Sequence, residues 1–191
     1  MKKTNHKLKG LKIAIVVSNG FEEDEMTKPR AALEKAGAET VLISPDGSKV
    51  KSWLHDKWGK DFKVDMNIKS AKPGQFDGIL LPGGVMNPDK LRTDKNVVKF
   101  ISHFMKNNKP VAAICHGPWT LVETGKLKGR KLTSYHSIKT DLINAGAKWA
   151  DKEVIVDKNL VTSRTPKDIP AFNKAVINLY LLLNKGERNH E

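Results

Sequence analysis

Short runs of apolar residues recur along the chain, and most are followed by a stretch of helical period. Residues 11–18 (LKIAIVVS) form a continuous apolar run rich in β-branched side chains, the signature of a strand buried on both faces. A helix is predicted over about 23–36, closed by Gly37. Residues 39–44 (ETVLIS) and 77–81 (DGILL) read as further buried strands, the second ended by Pro82-Gly83-Gly84. Over 95–108, Val97, Val98, Ile101, Phe104 and Met105 recur at helical spacing, so one face turns inward. Residues 110–114 (PVAAI) are again a buried strand. A helix follows Cys115-His116-Gly117-Pro118, with Pro118 in its first turn. A helix over 137–145 closes at Gly146. Two short strands, 154–156 and 160–162, are joined at Asp157-Lys158-Asn159. The last helix, 168–184, buries Phe172, Ala175, Val176, Leu179 and Leu183. Residues 46–58 read as irregular, and 62–66 as a short edge strand.

Strands alternating with helices imply βαβ units. The fold class is therefore α/β, a doubly wound, mostly parallel sheet with helices on both faces. No internal repeat or linker interrupts the pattern, so residues 11–185 read as a single domain, with tails at 1–10 and 186–191. Sites in this architecture form at the carboxyl ends of strands. Three segments fall there: 19–24, 82–89 and 115–119.

Composition narrows the classes. The chain has 191 residues, 39% hydrophobic and 29% charged, ordinary for a globular protein. No apolar run approaches the roughly 20 residues of a membrane span. The opening MKKTNHKLKG lacks the apolar core of about 7–15 residues of a secretory signal. A cytoplasmic protein without membrane contact is expected. A single cysteine excludes an intramolecular disulfide and a cysteine-rich zinc site, so no metal is expected. Neither GxGxxG nor GxxxxGK[ST] occurs, and no cofactor is expected. The net charge of +13 permits a polyanion partner, but the lysines are spread along the whole chain. The densest stretch, 49–63, also holds Trp53, Trp58 and Phe62. It reads as a solvated loop whose aromatics pack on the body or a partner subunit, in preference to a nucleic-acid platform.

Cys115 stands out by its context. Strand, cysteine and helix start follow in direct succession, the cysteine counterpart of a nucleophile elbow. Amides at the helix start would favour the thiolate and lower its pKa. His116 is a candidate general base, although neighbours on a helix do not face one another and an orienting partner would be needed. Gly83 and Gly84, with the amide of Gly117, are candidate oxyanion donors. Among Glu22, Glu23, Asp24 and Glu25, one carboxyl pointing over the sheet toward Cys115 would need to stay protonated, as burial permits.

Several segments together (GFEEDE, ILLPGG, AICHGP, LKGRKLTSYHSIKTDLINAGA and VIVDKNLVTSRTPKD) resemble the PfpI intracellular protease family, of the superfamily of the parkinsonism-associated deglycase. The likeness runs from about residue 11 to residue 183. It implies a flavodoxin-like fold, assembly as a homodimer or higher oligomer, Cys115 as nucleophile and His116 as its partner. It places at Glu22 the carboxyl that hydrogen-bonds the cysteine. The family's third polar residue, a glutamate reaching across a subunit interface, matches Asp89, one methylene shorter. Trp119 stands where many relatives carry glutamine, and its ring would narrow the pocket or pack into an interface.

Three readings follow. The first is a cysteine enzyme acting on small reactive carbonyls or their protein adducts, or on peptides. Small-carbonyl chemistry ranks above proteolysis, because a displaced histidine is poorly placed to protonate a leaving amine. The second is a redox sensor or stress chaperone, with Cys115 oxidised to a sulfinate. The third, a glutamine amidotransferase, fails: it needs a His and a Glu one residue apart downstream, and neither His136 nor His190 supplies them.

Overall fold

The computed structural model describes residues 7–188, and side chains through residue 184. The elements in chain order are β1 (Lys12–Val16), β2 (Phe21–Glu22), α1 (Glu23–Lys35), β3 (Glu39–Ser44), β4 (Lys49–Leu54), β5 (Lys57–Lys63), β6 (Met66–Asn67), β7 (Gly78–Leu81), α2 (Met86–Thr93), α3 (Lys95–Lys106), β8 (Val111–Ile114), α4 (Trp119–Val122), β9 (Lys131–Leu132), α5 (Lys139–Asn144), β10 (Lys148–Trp149), β11 (Val154–Asp157), β12 (Leu160–Ser163) and α6 (Ile169–Arg188). The main sheet has seven strands in the order β11-β12-β8-β7-β1-β3-β6. All its pairs are parallel except β11 with β12.

The two-residue period of each strand splits its side chains between two cores. Ile13, Ile15 and Leu80 pack with Met26 and Leu33 of α1 and with Phe172, Val176 and Tyr180 of α6. Ala14, Val16, Ile79 and Leu81 pack on the opposite face with Phe100, Ile101 and Phe104 of α3 and Leu142 of α5. Both faces are therefore covered, as a mostly parallel sheet requires, and the doubly wound α/β expectation holds. No helix among the described residues is long and apolar enough to cross a membrane.

Five expectations are corrected. The region from 46 to 58 is not irregular: β4 and β5 form a hairpin with a two-residue turn at His55-Asp56, and β4 pairs with β2. The edge strand expected over 62–66 is the end of β5 followed by a separate β6. The segment 82–89, expected as a loop, continues into helix α2. The first ten residues are not wholly a tail, because Leu8 is fully buried and its N–H donates to the Ala36 carbonyl at 2.9 Å. At the other end α6 runs past residue 185 to Arg188. The rest of the expected tails, 1–6 and 189–191, lies outside the described residues.

Candidate active site

The carboxyl ends of β1, β7, β8 and β12 converge on one cleft of about 490 Å³, lined among others by Glu22, Glu25, Trp53, His55, Gly84, Cys115, His116 and Tyr135. Cys115 follows β8 directly and adopts φ +61°. A side chain in that left-handed conformation is uncommon, and here the backbone is held on both sides. Its N–H donates to the Ser163 carbonyl at 3.0 Å, and its carbonyl accepts from the Tyr135 N–H at 2.8 Å. This is the expected elbow.

The turn after β7 packs directly against it. A Cβ on Gly83 would lie 2.8 Å from the Cys115 Cβ and 2.6 Å from Glu25 Oε2, so only glycine fits. Asn87 locks this loop. Its Nδ2 donates to the Pro82 and Gly83 carbonyls at 2.9 and 3.0 Å, and its Oδ1 accepts from the Ser18 N–H at 2.7 Å.

The carboxyl beside the cysteine belongs to Glu25, not to Glu22. Glu25 is fully buried in the first turn of α1, and its Oε2 accepts from the Gly83 N–H at 2.8 Å. Its Oε1 is buried without a hydrogen-bond partner of ordinary geometry, although the carboxyl and the Cys115 thiol are close enough to perturb each other. Burial pushes the Glu25 carboxyl up to about 8, against the pull of the Gly83 N–H and the thiol. Glu25 is therefore protonated at neutral pH, with its free oxygen available to carry the proton beside the sulfur. Glu22 sits one step earlier, on β2, where its Oε1 faces His55. Helical spacing held the signal: Glu25, Pro29 and Leu33 are all buried and lie four residues apart on one face of α1.

His116 does swing toward its neighbour. Nδ1 lies 3.3 Å from Sγ, and Nε2 lies 3.0 Å from the Ser137 hydroxyl. Tyr135 stacks on the ring at 4.7 Å. Burial, helped by the nearby His136, lowers its pKa to about 4, so the imidazole is neutral at pH 7. In the tautomer that donates from Nε2 to Ser137, Nδ1 is free to accept the thiol proton. Ser137 was missed because only the folded chain brings it to His116.

The thiol itself departs from expectation. Burial and then the Glu25 carboxylate raise the Cys115 pKa, outweighing the amides of His116 and Gly84 that face the sulfur. The following helix, α4, has only four residues and supplies little dipole. The sulfur therefore lies beside a neutral base. A protonated Glu25 removes the repulsive part of that rise.

Two of the expected oxyanion donors are already engaged: Gly83 N–H with Glu25, and Gly117 N–H with the Ile114 carbonyl at 2.8 Å. The amides of Gly84 and His116 remain at the sulfur. Trp119 does not line the cleft. It packs against the α3 core, and the Arg92 guanidinium lies over its ring at 4.7 Å. Asp89 is exposed on α2 and is not among the cleft-lining residues, so within one chain it does not orient His116. Of the hairpin aromatics, Trp53 lines the cleft and meets Trp58 edge-on at 5.4 Å, while Phe62 packs on Phe21 at 5.5 Å. Among the described residues no group of three or more His, Cys, Asp or Glu is arranged to hold a metal ion.

An open α/β sheet with a cysteine elbow at the carboxyl ends of its central strands defines a recognisable class of protein. The model of the DJ-1/PfpI family matches residues 11–179, and the chain belongs to that family. An uncharacterised protein of Staphylococcus saprophyticus is 47% identical over 169 residues, covering 87% of this chain and 96% of its own. A Bacillus subtilis protein named "Putative cysteine protease YraA" is 46% identical over 168 residues, covering 88% and 97%. A two-domain protein of Anabaena variabilis, with DJ-1/ThiJ/PfpI-like and ferritin-like domains, is 36% identical with TM-score 0.83, covering 88% of this chain and 47% of that one. Oxidised DJ-1 of Toxoplasma gondii is 26% identical with TM-score 0.79, covering 89% and 90%.

Proposed function

We propose that this protein is a cysteine-dependent enzyme that converts small reactive carbonyl compounds, or their adducts on proteins, in protection against carbonyl stress. The observation that carries the reading is the Cys115 sulfur 3.3 Å from the His116 imidazole on a left-handed elbow, beside the buried Glu25 carboxyl. In the proposed reaction Cys115 Sγ adds to an aldehyde carbon while His116 Nδ1 takes the thiol proton. The amides of Gly84 and His116 stabilise the oxygen that gains charge. Glu25, protonated, keeps a second negative charge away from the sulfur. For a 2-oxoaldehyde, a proton shift from the aldehyde carbon to its neighbour yields a thioester, which water hydrolyses to a 2-hydroxy acid and the free thiol.

Carbonyl addition expels no leaving amine, whereas peptide cleavage must protonate one, and a His116 with a pKa of about 4 holds little proton to give at neutral pH. The name of YraA favours a peptidase. Comparing kcat/KM for methylglyoxal with that for unstructured fluorogenic peptides decides between them, and dominant peptide turnover would overturn the carbonyl reading. A second reading, a redox sensor, is favoured by the unpartnered Glu25 Oε1 beside the thiol, which could hydrogen-bond a sulfinate. Assembly as a homodimer or higher oligomer, with Asp89 delivered from a neighbouring subunit, completes the proposal.

A further inference from the structure

The cleft also contains a His–Glu pair that the chemistry above does not use. His55 lies at the tip of the β4–β5 hairpin with φ +58°. The Asp56 N–H bonds back to the Leu54 carbonyl at 2.8 Å, closing a three-residue turn centred on His55. Such turns with positive φ are rare and strained. Both backbone polar groups of His55 are fixed by side chains that also line the cleft. Its N–H donates to Glu22 Oε1 at 3.3 Å, and its carbonyl accepts from Trp53 Nε1 at 2.9 Å. Its Nδ1 lies 3.7 Å from the same Glu22 oxygen. The Glu22 side chain is 11% exposed and that of His55 66%, so the pair runs from the cleft wall to its mouth. The hairpin is anchored from below, because Glu23 Oε2 accepts from the Ser52 hydroxyl at 2.7 Å and the Lys60 N–H at 3.2 Å. A non-glycine turn of positive φ whose backbone is held by these side chains fixes where the His55 imidazole emerges at the mouth of the cleft.

We propose that His55, held by Glu22 and Trp53, is a specificity-determining residue that hydrogen-bonds a second substrate oxygen, on the carbon next to the one Cys115 attacks. The preferred ligand is then a vicinal dicarbonyl or 2-hydroxycarbonyl compound in place of a simple aldehyde. This deepens the small-carbonyl reading and rests on it. The remaining cleft lining is largely apolar, with Val85, Met86, Tyr135 and Pro166. A polar His–Glu pair among such residues is the kind of placed group that orients a small ligand.

The test reads binding separately from turnover. Cys115 adds reversibly to aldehydes: the S–C bond forms, the C=O π bond breaks, and the thiol proton ends on the oxygen. The adduct shields Cys115 from iodoacetamide, scored by mass spectrometry of the Cys115 peptide. Half-protecting concentrations are measured for methylglyoxal and for propanal, which lacks the second oxygen, in large excess and at early times. His55→Gly removes the imidazole yet adopts positive φ freely and keeps the N–H to Glu22. The ratio of propanal to methylglyoxal concentrations should fall about tenfold in His55→Gly, the size of one hydrogen bond to a polar partner. His55→Asn, which tolerates positive φ and retains a donor, should recover part of it. An unchanged ratio in His55→Gly overturns the assignment. If the ratio falls but methylglyoxal is not turned over, the enzymatic reading fails and the binding role stands. If turnover is robust and the ratio unchanged, only the role of His55 is lost.

Discussion

Replacing Glu25 by Gln tests the buried carboxyl directly. Its pKa stands at about 8 against an ordinary 4.5. At about 1.4 kcal/mol per pH unit, ionising Glu25 in the fold at high pH costs on the order of 5 kcal/mol. The sign follows from linkage. Between those values the folded chain keeps a proton that the unfolded chain has lost, so this group's stabilisation is complete below 4.5 and lost as pH rises to about 8. Gln is neutral at every pH and still offers an oxygen to the Gly83 N–H. The stability of Glu25→Gln relative to wild type should therefore rise by about 3 kcal/mol between about pH 5 and 7.5, or roughly 6–12 °C in melting temperature. Urea unfolding at a series of pH values reads this difference. Contributions from His116 and Glu22 occur in both proteins and cancel. Repeating the pair in a Cys115→Ser background assigns the effect to the carboxyl alone. A difference that stays flat across the window would mean that Glu25 ionises normally in the fold, and would refute the reasoning.

Ser137→Ala removes the partner of His116 Nε2, so kcat should fall about five- to tenfold with KM little changed, and Ser137→Thr should restore it. Gly83→Ala would force a Cβ between Glu25 and Cys115, so urea unfolding should show a loss of about 2–3 kcal/mol. Asp89→Ala touches an exposed side chain, so stability should change by less than about 0.5 kcal/mol. Its activity should fall only in samples that sizing shows to be oligomeric, and full activity of the oligomer would remove Asp89 from the site.

The strands that position the site were legible because both faces of β1, β7 and β8 are buried, leaving unbroken apolar runs. The β4–β5 hairpin was not. Strand β5 is largely exposed and lysine-rich, β4 turns only Val50 and Ser52 fully inward, so no apolar alternation shows, and the anchors to Glu22 and Glu23 are long-range polar contacts. Helix α2 escaped because its buried residues are Asn87, Pro88 and Leu91, which form no apolar stripe. At the site, Cys115 declared itself through its strand-to-helix context. The choice among four consecutive acids needed the start of α1: Glu22 belongs to β2, whereas Glu25 shares the inward face with Pro29 and Leu33. The raised thiol pKa also followed from packing, since burial outweighs a helix of a single turn.

The central claim is that Cys115 turns over a small carbonyl substrate. The most direct measurement is steady-state loss of methylglyoxal in amine-free buffer, with lactate quantified and Cys115→Ser run alongside. Many molecules of lactate per Cys115, absent in Cys115→Ser, are predicted. At most one equivalent consumed per Cys115, or equal turnover by Cys115→Ser, would contradict the account.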